Sequence, residues 1–383
     1  MKKTVFDLIP EHIRALGAYV PGKSMKQAQR ESGIQMIKMA SNENPFGPSP
    51  LAIEAVSAAA REINLYPDND ATELRHALSA RHNLAPEQIF IADGSLGILD
   101  ILARTLLGPG LNCITSERSF ISYPIVTQAS GARLIMTPMR GDTYDLHAIA
   151  ARIDDQTRVV ILANPNNPTG TMFDANATEE FLKMVPGHVL VVVDEAYSDF
   201  AEYFARQRGV TWSRSMDHVR AGRPNVLVLR TFSKAHGLAG LRVGYGCGHP
   251  DLLQYFGRVR NSFSVSVTAE AGALAALRDE AHIRRTVENN AVGAAWLLEQ
   301  MAEIKIRAVP TWTNFIHLDI SDNANEAAKR MQAEGVLVRS LVPWGSPNSL
   351  RVTVGTPEQN ERFVEALKAT MGQPAGVMNK SGV

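Results

Sequence analysis

Val189-Leu190-Val191-Val192-Val193-Asp194-Glu195-Ala196-Tyr197 is the stretch that decides the fold. Its first five residues are apolar and mostly β-branched, with no polar face between them. A short run of that kind suits a strand buried on both faces of a mostly parallel sheet. Val159-Val160-Ile161-Leu162 and Val226-Leu227-Val228-Leu229 read the same way. Each run ends at a polar cluster: Asn164 to Gly170, Asp194 to Tyr197, and Thr231 to Lys234. Ligands of open α/β sheets bind beyond the carboxyl ends of the strands, so the three clusters converge on one candidate site.

Working outward, Ile89–Ala92, Asn112–Thr115 and Arg133–Met136 read as further strands. Helices are expected over Leu51–Ile63, Glu73–His82 and Leu99–Leu107. Beyond about residue 270 the texture changes. Helical segments Glu270–Leu277 and Ala294–Met301 lead to strand candidates Asn314–Leu318 and Leu350–Val354, the pattern of a smaller α+β domain. Ile9, Ile13 and Leu16 give residues 1–38 the spacing of an amphipathic arm, expected to pack with that smaller domain. The expected division is therefore an arm (1–38), a large domain (39–270), a small domain (271–372) and a tail. Gly, Pro, Asn and Ser in 373–383 predict disorder there.

The 383 residues are 45% hydrophobic, enough for a large core, and carry 39 basic against 39 acidic side chains. That balance points to neither a nucleic acid nor another polyanion as partner. Cys113 and Cys247 offer neither a disulfide framework nor metal-ligand spacing, so no metal is expected. No apolar run approaches the ~20 residues of a membrane span. Asp7, Pro10 and Glu11 interrupt the apolar stretch a signal peptide needs, so a cytoplasmic protein is expected.

The chemistry centres on Lys234, in Thr231-Phe232-Ser233-Lys234-Ala235-His236-Gly237-Leu238-Ala239-Gly240-Leu241-Arg242. Hydroxyls, backbone N–H groups and an arginine can hold a phosphate, and a lysine beside them can form a Schiff base with a phosphorylated aldehyde. Asp194 at a buried strand end needs a cation, such as a protonated pyridine nitrogen, or else caps the next helix. Asn167 and Tyr197 could donate to a ring oxygen, although Asn164–Gly170 is also ordinary turn composition. Gly94-Ser95-Leu96-Gly97 runs from strand to helix, where free N–H groups favour a phosphate. Phe120 or Tyr123 could stack on a flat cofactor or belong to the core. Arg351 and Arg339, each among apolar neighbours, call for an anion, either a substrate's or a structural carboxylate.

Taken together these residues resemble the class I/II aminotransferases of the pyridoxal-phosphate fold type I, over about residues 8 to 370. Asn164–Gly170, Asp194-Glu195-Ala196-Tyr197 and Ser233-Lys234 with Arg242 occur in that family's order. Tyr19-Val20-Pro21-Gly22-Lys23, Ala40-Ser41-Asn42-Glu43-Asn44-Pro45 and Tyr66-Pro67-Asp68 are similar to its histidinol-phosphate branch. The resemblance implies a three-layer α/β sandwich with a mostly parallel sheet, plus the smaller α+β domain. It implies pyridoxal 5'-phosphate as cofactor, held by Lys234, which also shuttles the proton. Asp194 would pair with the pyridine nitrogen, Asn167 and Tyr197 with the ring oxygen, and Phe120 would stack. Ser233, Arg242 and the amides of Ser95 and Leu96 would hold the phosphate, with Thr231 nearby. Tyr66 would reach the phosphate of the neighbouring subunit in a homodimer. Arg351 would bind the substrate's anionic end, helped by Arg339 and Tyr19, with Asn44 also on the substrate.

The implied reaction is transamination between a small-molecule amino donor and a 2-oxo acid. Histidinol phosphate with 2-oxoglutarate, giving imidazole acetol phosphate and glutamate in histidine biosynthesis, comes first. Alternatives are an aromatic or broad-range amino-acid aminotransferase, a decarboxylase on the same scaffold, or a non-catalytic relative. Three departures bear on substrate: Leu96 where relatives often carry an acid, Phe120 for a stacking tyrosine, and Arg260-Asn261-Ser262-Phe263-Ser264-Val265 for a common Pro-Tyr-Asn-Val pattern.

Overall fold

A computed structural model describes residues 4–17 and 25–371 of the chain. Tyr19 and the segment 373–383 lie outside the described residues.

The apolar runs form the centre of a seven-stranded sheet. Its strands are β1 (Ile89–Ala92), β2 (Asn112–Ser116), β3 (Arg133–Thr137), β4 (Thr157–Ala163), β5 (Leu190–Asp194), β6 (Val226–Thr231) and β7 (Gly244–Cys247). They lie in the order β1-β7-β6-β5-β4-β2-β3. All neighbours are parallel except β7, which runs antiparallel to both β1 and β6. Every residue of β2 and β5 is buried, as a sheet covered by helices on both faces requires.

Nothing in Gly244-Tyr245-Gly246-Cys247 announces β7, because glycine is a poor strand former. The structure explains Gly244 by proximity. A Cβ there would stand 2.7 Å from the amide nitrogen of Ser95 and 2.9 Å from the carbonyl oxygen of Arg230. The helix from Ser95 can therefore start against the sheet only if this residue has no side chain.

The smaller sheet is antiparallel, with strands β8 (Arg307–Val309), β9 (Phe315–Asp319), β10 (Arg339–Ser340) and β11 (Ser349–Thr353) in the order β8-β9-β11-β10. Two main apolar cores result. The larger runs from Ala52 to Ala276 and includes Ala269, Ala273 and Ala276 of the helix Val267–Arg278. Its end therefore lies beyond residue 270. The smaller joins Met39 and Phe204 to Leu297, Ile316, Val352 and Phe363.

Helix Glu280–Glu303 is far longer than the Ala294–Met301 stretch that periodicity marks. Its Val287 packs with Tyr197 and Phe315, and its Leu297 and Met301 belong to the smaller core. Residues 1–38, expected with the smaller domain, are shared in their described parts. Helix Glu11–Arg14 lies against helix Ser122–Ala129 of the large sheet. Ala28 and Met36 pack on Leu337, and Ile37–Lys38 pair with Val336–Leu337. Among the described residues, no helix is long and apolar enough to cross a membrane.

Candidate active site

A cavity of about 250 Å³ opens at the carboxyl ends of β4, β5 and β6. All three polar clusters reach it, through Asn167, through Asp194 and Tyr197, and through Thr231, Ser233 and Lys234. Ser95, Leu96, Phe120 and Arg242 complete the large-domain side, and Arg339 and Arg351 enter from the smaller sheet. Backbone bonds carry the strand alignment past the strand ends: Asn164 N–H donates to the Asp194 carbonyl (2.9 Å) and Glu195 N–H to the Leu229 carbonyl (2.8 Å).

Asp194 is 5% exposed. Its carboxylate accepts from the Tyr123 hydroxyl (2.8 Å) and from the Ala196 backbone N–H (3.2 Å). Burial pushes its pKa up from the usual 3.8 to about 6, against the pull of the Tyr123 bond. Burial and the adjacent Asp194 charge also raise the Tyr123 hydroxyl well above its ordinary value, so Tyr123 stays a donor. Such a carboxylate is stabilised by a cation brought against it.

Lys234 reaches the same cavity, where its Nζ lies 3.4 Å from the Ser41 carbonyl and 5.9 Å from the Tyr197 ring centre. Burial first, then the positive charges of Arg351 and Arg242, lower its pKa from 10.5 to about 8. Such a lysine gives up its proton more readily than an ordinary one, and a nucleophilic amine must be unprotonated.

An anion cradle lies beside it. Ser95 opens the helix Ser95–Leu106, whose first N–H groups lack intrahelical partners. Thr231 accepts from the Ser233 N–H (3.1 Å) and donates to the Ser233 hydroxyl (2.9 Å). Arg242 donates to the Ala239 carbonyl (3.0 Å), with a second, longer contact to the Ser233 hydroxyl (3.5 Å). Gly94 holds a positive φ of 93°, and a Cβ on it would come within 2.7 Å of the Arg242 guanidinium. Helix start, two hydroxyls and guanidinium thus approach one another only because Gly94 and Gly244 lack side chains.

From the smaller sheet Arg351 donates to the Asn167 side-chain oxygen (2.5 Å) and to the Ala40 carbonyl (2.9 Å). With that oxygen committed, the Asn167 amine is the end left for the cavity. Arg339 is the direct cross-strand neighbour of Arg351, and both guanidinium groups lie by the Trp344 ring, at 5.2 and 6.0 Å. Two like charges side by side on one cavity wall suit a multiply charged anion.

Asn44, expected on the substrate, lies elsewhere, and Tyr66 lies outside this chain's own cavity. Asn44 does not line the cavity; its amine donates to the Ala235 carbonyl (2.8 Å) and the Thr286 hydroxyl (3.0 Å), behind the Lys234 backbone. Tyr66 is 83% exposed and stacks on Phe263, with ring centres 4.8 Å apart. Among the described residues there is no cluster of His, Cys, Asp or Glu able to hold a metal.

Residues 34–367 match the family Aminotransferase class I and II. The chain belongs to that family. It is 44% identical to a histidinol-phosphate aminotransferase of Moorella thermoacetica over 94% of this chain and 92% of the relative. It is also 44% identical to histidinol-phosphate aminotransferase 2 of Pseudomonas aeruginosa, over 93% and 95% respectively. Among solved structures, the histidinol-phosphate aminotransferase of Sinorhizobium meliloti in complex with pyridoxal 5'-phosphate superposes with a TM-score of 0.84. The two are 27% identical over 94% of this chain and 96% of that one.

In this aminotransferase Asn42, Tyr123 and Trp344 also line the cavity. Tyr123 stood in the quoted Phe120 stretch as a stacking candidate. Its position three residues after Phe120, where helix Ser122–Ala129 begins, turns its hydroxyl to Asp194. Asn42 lay two residues from the asparagine assigned to substrate, and composition alone does not distinguish them.

Proposed function

We propose that this aminotransferase transfers the amino group of histidinol phosphate to 2-oxoglutarate with pyridoxal 5'-phosphate as cofactor. The observation that carries the substrate is the Arg339–Arg351 pair, which enters the cavity from the smaller sheet. An amine bearing a phosphate dianion uses both guanidinium groups, whereas a monoanionic carboxylate needs one. The 44% identical relatives agree with that reading.

The cofactor fits the donor set. When bound, pyridoxal 5'-phosphate supplies an aldehyde that condenses with amines and a ring that absorbs the electrons left by a broken C–H bond. Ser95, Ser233, Thr231 and Arg242 hold its phosphate. Asp194, kept in place by Tyr123, holds its negative charge against the ring nitrogen. Asn167 and Tyr197 would donate to the ring oxygen, and Phe120 would stack on the ring. Lys234 would hold the aldehyde, and its freed Nζ would take up and return the proton of the amino donor's carbon. Arg351 and Arg339 orient the donor by its anionic end. Trp344, packed against both, excludes water from that end.

The same reading makes the enzyme a homodimer. Tyr66, Phe263, Ile63 and Leu65 form an exposed apolar group, with Tyr66 at 83% and Phe263 at 43% exposure. A second copy would cover them and receive Tyr66 at its cofactor phosphate. The two apolar cores correspond to the large and small domains. Cys113 and Cys247, both free and buried, suit the cytoplasm.

The test is turnover. Purified enzyme given histidinol phosphate and 2-oxoglutarate should release glutamate, and Lys234→Ala should not. Full activity in that variant would sink the assignment of Lys234.

A further inference from the structure

Asn42 is 1% exposed and sits at φ 58°, in the left-handed region. A non-glycine residue held there marks a position the surroundings over-determine. Three bonds do so. Asn42 N–H donates to the Thr353 hydroxyl (2.9 Å), the Thr353 hydroxyl donates back to the Asn42 side-chain oxygen (3.3 Å), and Asn314 donates to the Asn42 carbonyl (3.0 Å). The side-chain oxygen is therefore committed, and the amine must point the other way. It donates to the Tyr197 hydroxyl oxygen at 2.7 Å.

An amide N–H can only donate, so the Tyr197 oxygen is an acceptor in this bond. Its own hydrogen is left for an acceptor in the cavity that both residues line. Thr353 stands two residues from Arg351 on β11, and Arg351 in turn grips Ala40, two residues before Asn42. The substrate-side arginine and the amide that orients Tyr197 thus hang on one strand and one loop.

We propose that Asn42 is a positioning residue: it fixes Tyr197 as a hydrogen-bond donor into the cavity and ties that donor to the Arg351 strand. The proposal rests on the cofactor reading above. The charged and titratable groups facing Tyr197 are Arg351 from β11, Asp194 from β5, Lys234 after β6 and Tyr123 from the helix Ser122–Ala129. Burial raises the Tyr197 pKa and keeps it protonated, while Arg351 and the Asn42 bond pull toward the ionised form and make it a stronger donor. A donor to the cofactor's ring oxygen stabilises the less protonated form of the bound cofactor. Removing that donor raises the pH at which the bound cofactor's absorbance changes.

The experiment is a pH titration of that absorbance in holoenzyme, as a cycle of Asn42→Gly and Tyr197→Phe. Glycine keeps the positive φ and deletes only the amide. Asn42→Gly should raise the midpoint by about half a unit. Tyr197→Phe should raise it more, and adding Asn42→Gly to Tyr197→Phe should change nothing further. Thr353→Val, which frees the amide without touching residue 42, should move the midpoint the same way by less. An unmoved midpoint, or fully additive shifts in the double variant, would overturn the proposal. A wild-type protein that shows no such absorbance with pyridoxal 5'-phosphate would overturn the cofactor reading itself.

Discussion

Asp194 and Glu195 are adjacent acids, and Arg230 and Lys234 are cations at the end of the neighbouring strand, yet the two pairs live differently. Glu195, with 1% of its side chain exposed, accepts from Arg230 Nε (3.1 Å) and Nη2 (2.8 Å) and from the Ser213 hydroxyl (2.8 Å). Arg230 also meets Glu202 at 3.3 Å, and the acids hold its pKa well above the ordinary value. On the cavity side Asp194 has a hydroxyl and one N–H, and Lys234 a long contact to a carbonyl. Their pKa values drift toward neutrality, to about 6 and about 8. One side of the strand ends is closed by its own partners. The other is left poised for partners that arrive with cofactor and substrate.

Several substitutions would break or sharpen this contrast. Lys234→Ala should lower kcat on the order of 10³-fold or more while leaving the melting temperature of apoprotein unchanged or higher. Activity within tenfold of wild type would remove Lys234 from the chemistry. Arg230→Met strands the buried Glu195 and should cost about 3–5 kcal/mol in urea unfolding. A loss under ~1 kcal/mol would mean that the closed side is not closed by this pair.

Asp194→Asn should act in the opposite direction on apoprotein stability. The folded Asp194 pKa lies above its unfolded value, so its contribution to stability is complete below about pH 4 and lost as pH rises through about 6. The asparagine variant should therefore be more stable than wild type at pH 8 by on the order of 2–3 kcal/mol, with the gap closing toward pH 4. Equal stability at both pH values would show that Asp194 is not strained by burial. The smallest effect belongs to Arg339→Gln, which should raise KM for histidinol phosphate about tenfold and KM for phenylalanine much less. Equal changes for both donors would argue against a dianion on that wall.

The contrast also shows how much the chain declares in advance. The runs Val159–Leu162, Val189–Val193 and Val226–Leu229 read as buried parallel strands, because unbroken branched apolar residues leave no face to water. The polar clusters beyond them marked the cavity for the same reason. Strand β7 is not legible in the sequence because its two glycines are poor strand formers, and Gly244 is there for close approach. Asn44 and Asn42 could not be told apart without the left-handed turn at Asn42 and the hydroxyl of Thr353, more than three hundred residues away in sequence. The Arg230–Glu195 pair is a cross-strand contact beside the site, and only the β5–β6 register reveals it. Long-range partners decide these roles, and local pattern does not carry them.

The most direct test of the substrate is a single half-reaction. Holoenzyme without 2-oxo acid is mixed in turn with histidinol phosphate, phenylalanine, tyrosine, aspartate and histidine, and the absorbance of the cofactor bound at Lys234 is followed. The structure predicts that histidinol phosphate bleaches the long-wavelength band at the lowest concentration. A band untouched by histidinol phosphate but bleached by phenylalanine would contradict it.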